Sequence, residues 1–233
     1  MRIFAIIPAG GKGTRSGFNL PKQYLKINGK ELIAYTLEVF QKNRSVDEII
    51  VSADPFYFKL LEKIKKKYSL SKLTGLVKAG KERQDSVYNG LLSLSAKARD
   101  IILLHDAVRP LLPVNVLSDA IKTAKEKGNA IVCIKAKDTL IRGKNLVEKY
   151  IDREDVCYVQ TPQIFEYSVL KKAMDKALKD EFSGTDESML VQRLNEKINI
   201  VEGSVFNFKV TSKEDIQLLT KLICSKDSSP PIF

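Results

Sequence analysis

Three glycines, Gly10, Gly11 and Gly13, follow an apolar run, and two cations, Arg15 and Lys22, come soon after them. Glycine takes backbone angles that other residues avoid, so such a loop can curl and aim its N–H groups at a phosphate. Arg15 and Lys22 bring positive charge to the same neighbourhood. A triphosphate attacked by an anionic nucleophile needs that combination, because the charge on its oxygens has to be neutralised before the nucleophile can approach. A glycine loop alone also fits a plain tight turn between strand and helix, so the weight of the reading rests on the cations.

The spacing excludes the two commonest nucleotide loops. A P-loop requires glycine, lysine and a hydroxyl residue in immediate succession, whereas Gly13 is followed by Thr14 and Arg15. For a dinucleotide fingerprint, Gly11 and Gly13 find Ser16 where a third glycine is needed, and Gly17 comes one place late.

Two more polar segments sit behind apolar runs. Gly80-Lys81-Glu82-Arg83-Gln84-Asp85-Ser86 follows Gly75–Ala79, and His105-Asp106 follows Ile101–Leu104. Asp106 is placed to hold a substrate or to cap a following helix. Asp186-Glu187 reads as the acidic first turn of a helix, and Arg109 before Pro110 as a brace for its loop.

These motifs have to be positioned by a scaffold, and its elements are legible. Arg2–Pro8 is a near-continuous apolar run, as in a strand buried on both faces. Helical spacing of Leu32, Ile33, Leu37, Val39 and Phe40 predicts a helix over 30–43. Strands follow at 48–53, 75–79, 101–104 and 130–134, with helices at 55–68, after Ser86 (carrying Val87, Leu91, Leu92 and Leu94), and at 113–127. This alternation predicts an α/β fold with a mostly parallel sheet and helices on both faces. In such sheets ligands bind beyond the carboxyl ends of the strands, where all three polar motifs fall. Residues 139–151 break the alternation: two short apolar segments flank Gly143-Lys144-Asn145 with no helix between, which predicts a β-hairpin arm within 135–155. Helices at 168–180, 186–196 and 212–224 and a strand at 198–202 complete one domain over 1–224, leaving 225–233 as a loose tail.

Composition bounds the partners. The chain carries 39 Lys+Arg against 28 Asp+Glu, a net +11, which favours anionic ligands. Its one dense basic cluster, Lys63–Lys67, lies in a helical pattern and reads as a solvated face. A nucleic-acid-binding domain is the alternative that charge allows, but neither a recognition-helix nor an aromatic-interleaved pattern is present. No apolar run approaches a membrane span, and the N-terminal one stops at Pro8 against a glycine loop, so a cytoplasmic protein without a membrane partner is expected. Cys133, Cys157 and Cys224 are too few and scattered for a disulfide framework or a zinc site, and each is expected to be a small buried hydrophobe.

The ordered set Pro8-Ala9-Gly10-Gly11-Lys12-Gly13-Thr14-Arg15, Pro21-Lys22-Gln23-Tyr24-Leu25, Glu82-Arg83-Gln84-Asp85-Ser86-Val87, His105-Asp106-Ala107-Val108-Arg109-Pro110, Asp138-Thr139, Asp152-Arg153, Gln160-Thr161-Pro162-Gln163, Thr185-Asp186-Glu187 and Asn207-Phe208-Lys209-Val210-Thr211 resembles the 2-C-methyl-D-erythritol 4-phosphate cytidylyltransferases of isoprenoid synthesis. The resemblance runs from about residue 3 to about residue 222. It implies a Rossmann-like nucleotidyltransferase fold, CTP as donor, a polyol phosphate as acceptor, Mg2+ held mainly by the CTP phosphates with Asp106 as a candidate ligand, and a homodimer sharing its sites through the β-arm.

Carried over, Arg15, Lys22 and Lys209 are the catalytic cations at the α-phosphorus. Pro8, Ala9, Gly10, Gly11, Gly13, Gly80, Lys81, Arg83 and Ser86 bind the nucleotide. Asp106, Thr161, Thr185 and Lys209 hold the acceptor, with Thr139 and Arg153 serving the neighbouring subunit. The only histidine, His105, is then expected to be structural, since an attacking phosphate oxygen is already anionic and needs no base. Gly10 and Lys81 depart from the alanine and the acidic residue that the family often has there. The related cytidylyltransferases acting on ribitol 5-phosphate are the nearest alternative.

Overall fold

The computed structural model describes residues 1–11 and 20–226. Seven strands form the central sheet in the order β11-β7-β10-β6-β1-β4-β5: β1 (Ile3–Pro8), β4 (Glu48–Ala53), β5 (Leu73–Lys78), β6 (Ile101–Leu104), β7 (Asn129–Lys135), β10 (Cys157–Glu166) and β11 (Ile200–Glu202). β1 pairs in parallel with β4 and β6, β4 with β5, and β11 with β7, while β10 runs antiparallel between β6 and β7. This is the mostly parallel α/β sheet that the alternation of motifs predicts.

Both faces are covered, which is why β1 is apolar at nearly every position. Ile3, Ala5 and Ile7 point to the side packed by α1 (Leu32–Lys42), α2 (Phe58–Lys67) and α4 (Val114–Lys127). Phe4 and Ile6 face α3 (Arg83–Leu92), α5 (Tyr167–Lys179) and α6 (Glu187–Gln192). A small hairpin, β2 (Lys26–Ile27) with β3 (Lys30–Glu31), leads into α1, and Ile27 and Leu32 pack with Val210 and Leu219 of the α7 (Lys213–Lys226) region.

The sequence pattern predicts no strand at 157–166. Pro162 lacks the N–H that a central strand donates, and such a residue argues against strand assignment. The chain accommodates it where the β10–β7 register shifts between Val159 and Gln163. α6 ends at Gln192 rather than near 196, the chain turning through Asn195 at φ 62°. Only Cys133 is fully buried, correcting the expectation for all three cysteines: Cys157 is half-buried, and Cys224 is exposed near the end of α7, where Leu219 is the buried anchor. Burial of Cys133 pushes its thiol up to about 11.

Among the described residues β8 (Leu140–Arg142) and β9 (Lys149–Ile151) pair only with each other, forming a separate two-stranded arm. Its apolar side chains face solvent within this chain: Ile141 is 51% exposed, Leu146 83% and Tyr150 72%. A lone hairpin is marginal in water.

Candidate active site

Because β1, β4, β5 and β6 are parallel, their carboxyl ends lie on one side of the sheet, and a cleft of about 1070 Å3 opens there. One wall is the glycine loop, Pro8–Gly11, running directly out of β1. The other is the turn from Ala79 to Ser86 that opens α3. Gly80 has to be glycine, since a Cβ would collide with Asp85 in the first turn of that helix. Gly10 is equally constrained: a Cβ there would stand closer than 3.0 Å to the Cβ of Ala79, across the cleft floor. The turn is fixed by its own hydrogen bonds. Ser86 Oγ accepts from the Gly80 N–H at 3.1 Å and donates to the Glu82 carbonyl at 3.0 Å, while Glu82 and Asp85 form a capping box.

A chain of ion pairs lines the deep end. Arg83, the first residue of α3, donates from Nε to Asp106 Oδ1 at 3.1 Å and from Nη1 to both oxygens of Glu187 at 2.7 and 2.5 Å. Asp106 Oδ2 faces Arg109 Nε at 3.2 Å and Lys209 Nζ at 3.1 Å. Arg109 is anchored in turn through Nη1 to the Asn207 carbonyl at 2.7 Å. Burial alone would raise the Asp106 carboxyl, but attraction to Arg83, Lys209 and Arg109 outweighs it and holds the group well below the usual carboxylate range. For Glu187 burial wins and its pKa rises, with the Arg83 contacts opposing.

Asp106 caps no helix, since α4 begins only at Val114. Its backbone is held from below instead. The Thr161 hydroxyl accepts the Asp106 N–H at 3.1 Å and lies 3.0 Å from His105 Nδ1, while His105 Nε2 lies 3.1 Å from the Arg109 carbonyl. A carbonyl can only accept, so Nε2 carries the proton and Nδ1 receives the Thr161 hydrogen. Burial lowers the His105 pKa to about 4, and the ring is neutral. Asn207 Nδ2 donates to Gln160 Oε1 at 3.1 Å and to the Thr161 carbonyl at 2.7 Å, tying the segment that carries Lys209 to β10.

Of the residues singled out in sequence, Pro8, Ala9, Gly10, Gly11, Lys22, Gly80, Lys81, Arg83, Ser86, Asp106 and Lys209 line this one cleft. Thr161 lies directly beneath it. Thr185 is exposed, with its hydroxyl 3.0 Å from Met189 Sδ. Thr139 and Arg153 belong to the exposed arm region, and Arg153 Nη1 donates to the Lys137 carbonyl at 2.9 Å. None of these three lines the cleft. Gly13 and Arg15 lie outside the described residues. The sequence alone gives no role to Gln23, beside Lys22 in the 3-10 turn Lys22–Tyr24, and marks Glu187 only as a helix-start acid. Gln23 stands inside Pro21-Lys22-Gln23-Tyr24-Leu25 and Glu187 inside Thr185-Asp186-Glu187, the one mark of function either carries in the sequence.

The carboxylates do not fit a resident divalent cation. Such an ion needs a set of free oxygen ligands, yet both Asp106 oxygens are occupied by three protein cations. Among the described residues no group of three or more His, Cys, Asp or Glu side chains is gathered for a metal.

The family model of 2-C-methyl-D-erythritol 4-phosphate cytidylyltransferase matches residues 3–224. A protein of that name from Geobacter metallireducens is 39% identical over 231 residues, covering 97% of this chain and 99% of its own. One from Clostridioides difficile is 38% identical over 222 residues, covering 94% of this chain and 92% of its own. The crystal structure of the Francisella tularensis 2-C-methyl-D-erythritol 4-phosphate cytidylyltransferase, 30% identical, superposes with a TM-score of 0.81 over 95% of this chain and 99% of that one.

Proposed function

The chain belongs to the 2-C-methyl-D-erythritol 4-phosphate cytidylyltransferase family, and on that premise we propose that it transfers the cytidylyl group of CTP to 2-C-methyl-D-erythritol 4-phosphate. The observation that carries the reading is the convergence, on one cleft over the strand ends, of the glycine loop, Lys22, Lys209 and the Gly80–Ser86 turn. The acceptor's phosphate oxygen forms a bond to the α-phosphorus as the bond to the pyrophosphate oxygen breaks. Lys22, Lys209 and Arg15 balance the charge that builds on the phosphoryl oxygens. No side chain is needed to take a proton, because a phosphate monoester is already anionic. Pro8, Ala9, Gly10, Gly11, Gly80, Lys81 and Ser86 enclose the nucleoside, and Asp106 and Thr161 border the acceptor. Magnesium enters with the nucleotide, carried by its phosphates as part of the substrate.

The arm supports a homodimer: a second copy would cover its exposed apolar side chains and bring Thr139 and Arg153 to the neighbouring site. Among the described residues no helix is long and apolar enough to cross a membrane; a cytoplasmic location is part of the proposal.

The test is pyrophosphate release with CTP, Mg2+ and 2-C-methyl-D-erythritol 4-phosphate, run beside ribitol 5-phosphate and beside UTP, ATP and GTP. Turnover only with ribitol 5-phosphate, or none with either acceptor, overturns the assignment. For the dimer, Arg153→Ala and Lys22→Ala subunits are mixed. Recovery toward half of wild-type activity in proportion to heterodimer formed supports the shared site, and no recovery with heterodimer present refutes it.

A further inference from the structure

Gln23 is nearly sealed from solvent, 4% exposed, yet it borders the cleft. Its Nε2 donates to the Ala9 carbonyl at 2.7 Å and to the Gly11 carbonyl at 2.8 Å. Two carbonyl partners leave no choice of amide orientation: only the NH2 end can serve both, and both of its hydrogens are spent. One side chain therefore bridges the two ends of the Ala9-Gly10-Gly11 segment. A trans peptide sets its carbonyl and the next N–H on opposite sides. Turning the Ala9 carbonyl to Gln23 thus turns the Gly10 N–H the other way.

Glycine has no side chain to restrain this segment, and an unrestrained glycine loop loses conformational freedom when a ligand orders it. At its start the Ala9 N–H donates to the Ser52 carbonyl at 2.7 Å. Lys22 precedes Gln23 in the same 3-10 turn and lines the same cleft. Tyr24, which follows, stacks on Tyr57 at 4.4 Å between ring centroids, pinning the turn to the core. We propose that Gln23 is a positioning residue that holds the glycine loop in its triphosphate-binding shape and ties that shape to the placement of Lys22. The proposal rests on the cytidylyltransferase reading only in taking the loop's ligand to be a nucleoside triphosphate.

Two substitutions of similar size test it. Gln23→Met fills the space with no donor, and Gln23→Glu sets carboxylate oxygens against the two carbonyls. CTP dissociation constants are measured by calorimetry in the presence of Mg2+, melting temperatures are recorded, and the KM for the acceptor is determined separately. In Gln23→Met, CTP binding weakens about tenfold or more, as expected for losing roughly one to two net hydrogen bonds of restraint, while the acceptor KM stays within about twofold. Gln23→Glu is worse at pH 8.5 and improves relative to wild type as pH falls to 6, because the protonated carboxyl regains one donor; Gln23→Met shows no such recovery. CTP affinity within twofold of wild type in folded Gln23→Met overturns the proposal. So does a parallel loss of CTP and acceptor affinity, which marks general damage. If Gln23→Glu fails to fold, Gln23→Met decides alone. Wild-type protein that binds CTP but never turns over defeats the proposed reaction and leaves this inference standing.

Discussion

The sharpest structural constraint on the cleft is the contact between Gly10 and Ala79, and replacing Gly10 by alanine tests it. The added methyl would lie closer than 3.0 Å to the Ala79 Cβ, short of the 3.4–4 Å of ordinary contact. Neither group has a rotamer to escape into. Both walls are also tied to the sheet, the Ala9 N–H to Ser52 at 2.7 Å and the Ala79 N–H to Ala53 at 2.9 Å. Overpacking of a site that cannot relax costs about 1–3 kcal/mol. That cost appears as lost stability if the walls hold, or as weaker CTP binding, roughly five- to 150-fold, if the loop moves instead. Ala79→Gly alone removes the opposing methyl and costs about 0.5–1 kcal/mol through added chain freedom. In the double variant the methyl has only changed walls, and the clash is gone. Urea unfolding and CTP titration of the four proteins give the coupling, expected at about 1–3 kcal/mol. If the two substitutions add within about 0.5 kcal/mol, the walls are not in contact and the reasoning fails.

Lys22→Ala and Arg15→Ala are each expected to lower single-turnover rates by at least about a hundredfold, the scale of losing one stabiliser of developing charge; a near-wild-type rate in a folded variant removes that residue from the reaction centre. His105 titrates near 4 when folded because it is buried, so the unfolded chain binds the extra proton between about pH 6.5 and 4. Stability should therefore fall as pH drops through that window, by about 3 kcal/mol in total. Urea unfolding from pH 8 to 4.5 should show this slope in wild type and lose it in His105→Gln, and an unchanged slope in the variant assigns it elsewhere. Asp106→Asn should lower both stability and turnover without recovery at raised Mg2+ or with Mn2+. Recovery by added metal would identify Asp106 as a metal ligand rather than a counter-ion to Arg83, Arg109 and Lys209.

Much of the scaffold was legible because burial on both faces writes an uninterrupted apolar run, as in Ile3–Ile7 and Ile101–Leu104. What escaped was β10, where Pro162 masks a central strand that tolerates it only at a register shift. The cleft's lining could be read because glycines and cations stand at strand ends, a placement that periodicity fixes. Its internal wiring could not. That Glu187 meets Arg83, its neighbour across 104 positions of sequence, or that Thr161 spends its hydrogen on His105, depends on how α6 and β10 pack against β6. Gln23 was hidden for another reason: a buried amide is indistinguishable in sequence from a surface one.

The wiring has an electrostatic logic. Two unit charges at about 4–6 Å repel by roughly 3–4 kcal/mol at the effective dielectric of a partly buried site. Arg83, Arg109 and Lys209 all lie within hydrogen-bonding reach of one carboxylate, so without it their positive charges would repel one another at the deep end of the cleft. Asp106 offsets that repulsion, and Glu187 balances Arg83 from behind while staying almost wholly buried, at 1% exposure. Three cations against two carboxyl groups leave a positive surplus. The exposed member is Lys209, since the arginines are more deeply set: the side chain of Lys209 is 40% exposed against 27% for Arg83 and 11% for Arg109. The surplus is thus carried at the end of the network that faces the cleft. Lys22 stands on a separate element, the Lys22–Tyr24 turn, and lines the same space. A phosphate entering between the two lysines meets positive charge from two separate elements, Lys22 on its turn and Lys209 at the end of the network.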